Sequence, residues 1–430
     1  MACLVVAGCE AHAANVVDGA TRSDGSAAAD AAIRPDGHTL TEDASTLTDG
    51  AHLAPDAPTS AGGLRPNPKL VPRTVITSWT EPDGSARVAR TDAASSAAFD
   101  GVLYDDNRTW SSWPASNGTL AATSIVCEIA TPADALLWTW SDLATSDWLN
   151  AVDYQGSPSA YHIDVAPAED GPWTTVVDYT TPAGGDTYRS RAHRFAFAGM
   201  HWVRMVALAV QAHDGRGDRM ILHEIEIHDA TNGLDDSWVF AGSAATRFAW
   251  DGHTHHRWPV LVHERHAAFD PAVIDIADVP SALADFRTNL DRWLTLVPDH
   301  HRWVLVFGLG DAEGNRTPAE TGFEADLRAV VDRLIADGRV PIIPRVQATD
   351  PTLDDQHAHI DDFNAVIDRV VSDYHLTQVA DFHAWFAAHP EQFCRSGCES
   401  RADEGVTPVE PGYESMNDLW ATSVDGLYTP

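Results

Sequence analysis

The residues best placed for chemistry follow one apolar stretch, residues 238–246, which reads WVFAGSAAT. It predicts a buried strand that ends at Gly242 in a turn of small residues. A hydroxyl such as that of Ser243 would then stand at the carboxyl edge of a parallel sheet, where open α/β folds keep their sites. Histidines follow at positions 253, 255, 256, 263 and 266 and could supply a base or bind a metal such as zinc. Clustered loop histidines are also common on solvated surfaces, so both interpretations stay open.

The same stretch resembles the first sequence block of the SGNH (GDSL) hydrolases, W-x-F-x-G-D-S-I-T in one bacterial branch. The matching residues are Trp238, Phe240, Gly242 and Thr246. In this alignment Ser243 stands where the family has Asp, and Ala244 stands where the family has its nucleophilic Ser. The turn therefore matches the family in backbone type and departs from it in chemistry.

The resemblance extends over residues 235–423. It rests on the segments 291–294 (DRWL), 307–312 (FGLGDA), 340–345 (VPIIPR), 384–390 (AWFAAHP), 405–408 (GVTP) and 412–421. It implies hydrolysis of esters, often acetyl groups on carbohydrate. In the family a Ser attacks, and a His takes its proton. An Asp three residues upstream, in a D-x-x-H-P motif, orients that His, which is the usual logic of nucleophile, base and orienter.

Each catalytic position of the family is changed here. The Ser position is Ala244, the His position is Thr407, the Asp position is Glu404, and the oxyanion Asn position is Gly310. The second block, residues 276–279 (IADV), contains no Gly. Loss of one oxyanion donor costs about 10²–10³-fold in rate, and loss of nucleophile or base costs up to about 10⁶-fold. We therefore expect a pseudoenzyme; the alternative is a weak esterase that uses Ser243 with a relocated His base.

Hydrophobic periodicity in the second half indicates alternating strands and helices. Residues 303–307 and 340–344 are nearly continuous apolar runs, as in buried parallel strands. Helical spacing recurs in 283–293, 323–334 and 360–370, and Pro411 is predicted to open a last helix. Such alternation predicts a parallel sheet with helices on both faces. The SGNH resemblance implies that this sheet belongs to a three-layer, flavodoxin-like α/β domain over 235–423.

Residues 75–230 show short apolar or aromatic runs between turn residues, a pattern typical of a β-sandwich. The segment resembles a galactose-binding-like (discoidin-type) domain through residues 99–101 (FDG), 109–113 (TWSSW), 171–173 (GPW) and 224–227 (EIEI). This resemblance implies loops whose aromatic side chains stack on sugars. The candidates are Trp110 and Trp113, together with Trp138, Trp140 and Trp148. The competing interpretation places most of these rings in the core, because Trp is highly buried on average.

The amino-terminal residues suggest a tether. Residues 4–9 (LVVAGC) look like the end of a bacterial lipoprotein signal in which Cys9 is lipidated, and the missing basic start would be explained by an upstream start codon. The alternative is a chance Ala-Gly-Cys. Residues 10–74 contain few large apolar residues, so they predict a disordered linker behind the remnant signal at 1–9. Residues 424–430 are predicted to be a tail.

The remaining cysteines favour an oxidising compartment. Cys394 and Cys398 could close a short disulfide loop; a metal pair is the competitor, but no second Cys pair accompanies it. Cys127 lies in an apolar run and is expected to be an inert core thiol.

The net charge of −35 in 430 residues argues against nucleic acid or anionic lipid as a partner. No run of 18 apolar residues exists, so membrane contact is expected only through the lipid anchor. The predicted partner is carbohydrate or an acylated polysaccharide, without a cofactor. The predicted location is the cell envelope or the extracellular side, as a lipid-anchored bacterial lipoprotein.

Overall fold

The computed structural model describes residues 64–80, 85–92, 96, 98–99, 110–111, 123–141, 158–180, 190–210, 221–222, 224–242, 257–276, 282–396 and 405–428. All of these residues belong to one compact unit, Asp49–Pro430. The predicted signal remnant with Cys9 and most of the predicted linker lie outside the described residues.

The first half is built from antiparallel strands. They are β1 Thr74–Thr80, β2 Ala86–Thr91, β3 Trp110–Ser111, β4 Thr123–Glu128, β5 Ala135–Ser141, β6 Pro158–Ala166, β7 Thr174–Thr180, β8 Ser190–Ala196, β9 Trp202–Val210, β10 Ile221–Leu222 and β11 Glu224–Asp229. The main sheet has the order β2-β1-β4-β9-β6-β7, and a three-stranded sheet has the order β11-β5-β8. Strands β3 and β10 pair separately.

The two larger sheets enclose one apolar core. On β4, Ile125 and Cys127 alternate inward with half-buried residues between them, the period of a strand with one buried face. They share a cluster with Trp138 and Trp140 of β5 and with the apolar residues of β11. Cys127 is a free, fully buried thiol whose pKa is raised by burial, as expected for a core cysteine.

The second half contains a four-stranded parallel sheet and, within the described residues, the following elements. The strands are β12 Ser237–Gly242, β13 Ala272–Asp275, β14 Arg302–Val306 and β15 Val340–Ile342, in the order β13-β12-β14-β15. The helices are α1 Trp258–Arg265, α2 Leu283–Thr288, α3 Leu290–Leu296, α4 Leu309–Ala312, α5 Pro318–Thr321, α6 Phe323–Ala336, α7 Ile360–Asp373, α8 Phe382–Ala388 and α9 Glu410–Val424. Short 3-10 helices span Pro390–Gln392 and Asp425–Tyr428.

Strand β12 shows why this half has three layers. Val239 and Ala241 face one apolar cluster, which includes residues of α2, α3, α6 and α7. Trp238 and Phe240 face the other cluster, formed with α1, α8 and α9. All six residues of β12 are buried, as expected for the centre of a parallel sheet covered on both faces. The predicted α/β architecture is confirmed in this respect.

The two halves share a core. Ala135, Leu137 and Ala192, on the outer face of the three-stranded sheet, belong to the same buried cluster as Val239 and Ile274 of the parallel sheet. Strand β5 is therefore buried on both faces, with its odd-numbered and even-numbered residues in different cores. The sandwich and the α/β half form a joined structure and are not separate modules on a flexible connection.

The predicted boundaries differ from the structure at the linker's end. Arg65 forms an ion pair with buried Asp235 (2.6 Å between Nε and Oδ2). Lys69, the single lysine of the chain, bonds Glu226 of β11 with 2.9 Å between Nζ and Oε1. Residues 64–73 are thus packed, although composition predicted a linker through 74. Their ordering depends on partners about 160 positions away, which local composition does not reveal.

The predicted tail also differs. Residues Asp425–Tyr428 form a 3-10 helix, and Tyr428 is buried. Its hydroxyl donates to Asp236 Oδ1 over 2.8 Å, and the indole nitrogen of Trp238 donates to the same oxygen over 2.8 Å. This hydrogen bonding fixes the Asp425–Tyr428 helix at the amino edge of β12.

Candidate functional site

The carboxyl edge of the parallel sheet is where the predicted nucleophile turn begins. Gly242 ends β12 directly opposite Val306 of β14. Its φ is +154°, and a Cβ there would lie 2.2 Å from the Val306 carbonyl oxygen, so only glycine fits. Ser243 and Ala244 follow and lie outside the described residues. The assignment of either residue to the catalytic turn therefore stays a prediction.

Gly310 lies on the neighbouring strand's exit, in α4. It has no side chain to donate to an oxyanion, and its carbonyl oxygen accepts a hydrogen bond from Arg316 Nη2 over 2.8 Å. The adjacent Asp311 is buried, and its carboxylate accepts the backbone N–H of Leu283 over 3.1 Å. Asp311 therefore fixes the start of α2.

The environment of Asp311 sets its protonation. Burial raises the pKa of its carboxyl to about 6, although the hydrogen bond from Leu283 and the charge of Arg316 act in the opposite direction. A carboxyl with this pKa could exchange a proton near neutrality, but its oxygens already bind the backbone at α2.

Thr407 lies beside the loop that follows β15. The carbonyl oxygen of Thr407 accepts the N–H of Cys394 over 2.9 Å, and the carbonyl of Val406 accepts the side-chain amide of Gln347 over 2.6 Å. The carbonyl of Gly405 accepts the N–H of Asp350 over 2.7 Å. Thr407 thus reaches the edge at which the resemblance places a catalytic His, but it brings a hydroxyl there. Glu404 lies outside the described residues.

An aspartate–histidine pair lies in the same region, and sequence reasoning missed it. His357 Nδ1 and Asp354 Oδ1 are 3.0 Å apart, and the two side chains are 8% and 3% exposed. His357 Nε2 has no hydrogen bond within the described part of the chain. A carboxylate on Nδ1 with Nε2 available is the arrangement of a general base and its orienting group.

The position of this pair follows from its loop. Asn315, three residues beyond α4, accepts the N–H of Ala358 and donates from Nδ2 to the Asp355 carbonyl, over 2.9 and 2.7 Å. On its other side, the loop lies against Gly405, where a Cβ would be 2.8 Å from Leu353 Cβ. The pair thus lies between the segments that hold Gly310 and Thr407.

The Asp354 side chain turns inward and is 3% exposed, and its Oδ1 also accepts the N–H of Gln356 over 2.9 Å, whereas Asp355 is exposed. The D-x-x-H spacing of Asp354 and His357 is the signal that could have revealed the pair.

Two of the candidate relocated bases lie at the wrong edge. His263 Nδ1 is 2.8 Å from Asp270, and His266 Nε2 is 2.9 Å from Asp425, both beside the entrance to β13. Ala272 begins β13 opposite Ser237, at the amino edge, whereas the turn after Gly242 is at the carboxyl edge. His263 and His266 therefore lie at the edge of the sheet opposite to Gly242. Positions 253, 255 and 256 lie outside the described residues.

The sandwich tryptophans divide into two groups. Trp138 and Trp140 are 0% and 1% exposed, so the sugar-platform hypothesis is wrong for these two rings. They face inward from β5 because alternate residues of that strand form the sandwich core. The side chains of Trp110, Trp113 and Trp148 lie outside the described residues, and their role stays a prediction.

Other predicted features have these outcomes. Cys394 is disulfide-bonded, and Cys398 lies outside the described residues. Within the described ranges, no group of three or more His, Cys, Asp or Glu side chains is arranged to hold a metal ion. In the same ranges no helix is long and apolar enough to span a membrane.

Comparisons with known proteins give structural similarities only. No protein-family model and no curated protein matches the sequence. The chain is similar to a lipase/acylhydrolase from Enterococcus faecalis, with 19% identity and a TM-score of 0.35, over 44% of this chain and 95% of that chain. It is similar to protein YxiM from Bacillus subtilis, with 11% identity and a TM-score of 0.41, over 74% and 88% of the two chains.

A third similarity is to the carbohydrate-binding module CBM32-3 of a family 31 glycoside hydrolase from Clostridium perfringens. It has 18% identity and a TM-score of 0.25, over 31% of this chain and 80% of that chain. At these identities and TM-scores the similarities assign neither a family nor an activity to the chain.

Proposed function

We propose that this protein is a surface-tethered, SGNH-hydrolase-like lipoprotein that binds carbohydrate or a related polymer and does not cleave it. The loss of catalysis is supported by the residue types at the carboxyl edge of the parallel sheet. In the alignment that the resemblance implies, Gly310 and Thr407 stand where the family has the oxyanion Asn and the general base, and neither residue type can perform that role. Asp311, the remaining acid of that block, holds the start of α2.

The proposal for the tether rests on the sequence. Cys9 would be the lipidated residue, and the polar residues that follow it would space the folded unit from the envelope. Incorporation of labelled fatty acid into the wild-type chain but not into a Cys9→Ala variant is the expected result in a bacterial host. Equal labelling of both chains would contradict it.

A second candidate function is a weak esterase, and the Asp354–His357 pair favours it. In that mechanism Ser243 would attack the ester carbonyl while its proton passes to His357 Nε2. The proton would then pass to the leaving alkoxide as the ester C–O bond breaks, and water would repeat the cycle on the acyl-enzyme. Asp354 would hold the His357 tautomer in which Nε2 accepts the proton.

Hydrolysis of a small activated acetyl ester by the purified full chain separates these functions. Wild type is compared with Ser243→Ala, with His357→Gln, and with His266→Gln as a matched histidine control at the opposite edge of the sheet. We expect no turnover above buffer in any of the four proteins. Turnover in wild type and in His266→Gln that is lost in Ser243→Ala and His357→Gln would overturn the non-catalytic proposal and establish the esterase.

A further inference from the structure

The outer face of the six-stranded sheet holds a polar cluster that no function considered so far uses. Its centre is Asp164 on β6, whose side chain is only 2% exposed. Asp164 Oδ1 accepts from Thr175 Oγ1 over 2.7 Å and lies 2.8 Å from His162 Nδ1. Asp164 Oδ2 accepts from Arg204 Nε over 2.7 Å.

The carboxylate is ionised at neutral pH. Burial alone would raise the pKa of Asp164, but the hydrogen bonds from Thr175, Arg204 and His162 outweigh burial and hold the pKa below its usual range. A buried charge of this kind holds its partners in fixed orientations.

The outward-facing halves of these partners are available. Arg204 and His162 are 30% and 24% exposed. Neither the two Nη groups of Arg204 nor Nε2 of His162 makes a hydrogen bond within the described part of the chain. The guanidinium carbon of Arg204 lies 4.3 Å from the ring centroid of Trp173, and this stacking fixes its plane.

The surroundings define the chemistry of a ligand. In the tautomer of His162 that donates from Nδ1 to Asp164, Nε2 is an acceptor. Arg204 supplies only donors. Asp178 is exposed and stands opposite His162 in the β6–β7 register, on the same face, where it would repel an anion. Val206 stands opposite His162 on β9 and offers apolar surface.

We propose that His162, Asp164, Arg204 and Trp173 form a binding site for a neutral saccharide on this sheet face. One hydroxyl of a vicinal diol accepts from Arg204 Nη, and its neighbour donates to His162 Nε2. A diol offers both a donor and an acceptor, whereas a carboxylate or sulfate offers acceptors only. The site rests on the proposed carbohydrate-binding function and differs from the predicted Trp110 and Trp113 platform.

Affinity electrophoresis of the full chain tests this site. Native gels contain soluble xylan, galactan or glucan as neutral probes, and pectate as an anionic probe. Wild type should be retarded by at least one neutral polysaccharide and not by pectate. Arg204→Ala and His162→Gln should each weaken that retardation at least about tenfold in apparent dissociation constant, since each removes one oriented hydrogen bond.

Four controls accompany the gels. Arg73→Ala removes an exposed sandwich arginine paired with Glu128, so it matches the charge change away from the site. A Trp110→Ala, Trp113→Ala double variant tests the other predicted platform. Thermal melting of each variant shows whether it is folded. If Arg204→Ala is unfolded, Arg204→Lys, which retains a cation, replaces it in the gels.

Loss of retardation in the Arg204 and His162 variants, with retention in Arg73→Ala, supports the site. Retardation that survives those changes but is lost in the Trp double variant overturns the site and leaves the carbohydrate-binding function intact. Retardation by pectate alone overturns the neutral-ligand assignment. Absence of retardation in every gel overturns both the site and the proposed function.

Discussion

Asp236 shows at the scale of a residue how a buried carboxyl can be accommodated without a cation in contact. It is fully buried at the amino edge of β12, and its Oδ1 accepts from Trp238 and Tyr428. Burial raises its pKa to about 7, and these two hydrogen bonds and the charge of Arg302 only partly counter the effect. Its second oxygen has no hydrogen-bond partner. The neutral form is therefore favoured in the folded state.

This gives a pH dependence of definite sign. The folded-state pKa of about 7 lies above the ordinary aspartate value of 3.8, so the folded protein keeps a proton that the unfolded chain releases. The stabilisation is complete below pH 3.8 and is lost as pH rises through about 7, at ~1.4 kcal/mol per pKa unit. Asp236→Asn keeps the acceptor and removes the titration.

We therefore expect the free energy of unfolding of Asp236→Asn to exceed that of wild type by a few kcal/mol at pH 8 and to match it near pH 4. Urea denaturation followed by circular dichroism at both pH values measures the difference. Asp291→Asn, at an 84% exposed side chain, is the control and should show no such change. Parallel stability profiles for Asp236→Asn and wild type would refute the assignment.

At the scale of elements, the contact between β12 and β14 determines the shape of the candidate site. The strands approach so closely at Gly242 that the Val306 carbonyl occupies the place of a side chain. This contact places the end of β12 beside the end of β14, and Gly310 and Asp311 follow β14 in α4.

Gly242→Ala should therefore destabilise the fold by roughly 3 kcal/mol or more, since it adds a backbone clash to an unfavourable φ. Gly426→Ala is the matched control, because a Cβ there meets nothing within 4 Å. Chemical denaturation of both variants gives the comparison. A loss below about 1 kcal/mol for Gly242→Ala would show that β12 and β14 can separate at this edge.

On the scale of the whole molecule, buried charges between the two halves link residues 64–73 to both of them. Oε1 of Glu226, on β11, lies 2.9 Å from Lys69 Nζ and 3.9 Å from Nη1 of Arg257, the residue before α1. Desolvation alone would raise the pKa of Glu226, but these cations and His228 lower it far below its usual range. Together with the shared apolar cluster, this network should make the two halves unfold together.

Lys69→Met should cost roughly 2–4 kcal/mol, because it leaves Glu226 short of a cation; Lys69 is 31% exposed, so the loss falls below that of a fully buried pair. Arg73→Met, at an exposed pair with Glu128, should cost under ~1 kcal/mol.

Tryptophan fluorescence and far-ultraviolet circular dichroism should report one coincident transition in wild type. Two separated transitions would contradict the joined core.

Hydrophobic periodicity predicted some helices correctly and missed a helix break. The spacing in 323–334 and 360–370 predicted α6 and α7, and Pro411 lies in the first turn of α9. The spacing in 283–293 predicted one helix, but the structure has α2 and α3 with a break at Asn289. The Asn289 side chain donates to the Asp285 carbonyl, a local hydrogen bond that competes with a continuous helix.

The sequence by itself determined the order of the two halves, the α/β arrangement of the second half and the end of β12 at Gly242. These follow from apolar periodicity and from residue size, which act locally along the chain. Only the tertiary structure decided which polar groups meet. Lys69 and Glu226 are 157 positions apart, Arg204 and Asp164 are 40 apart, and the loop that carries Asp354 and His357 is hydrogen-bonded by Asn315. Such pairs depend on strand register and loop packing, which periodicity does not encode.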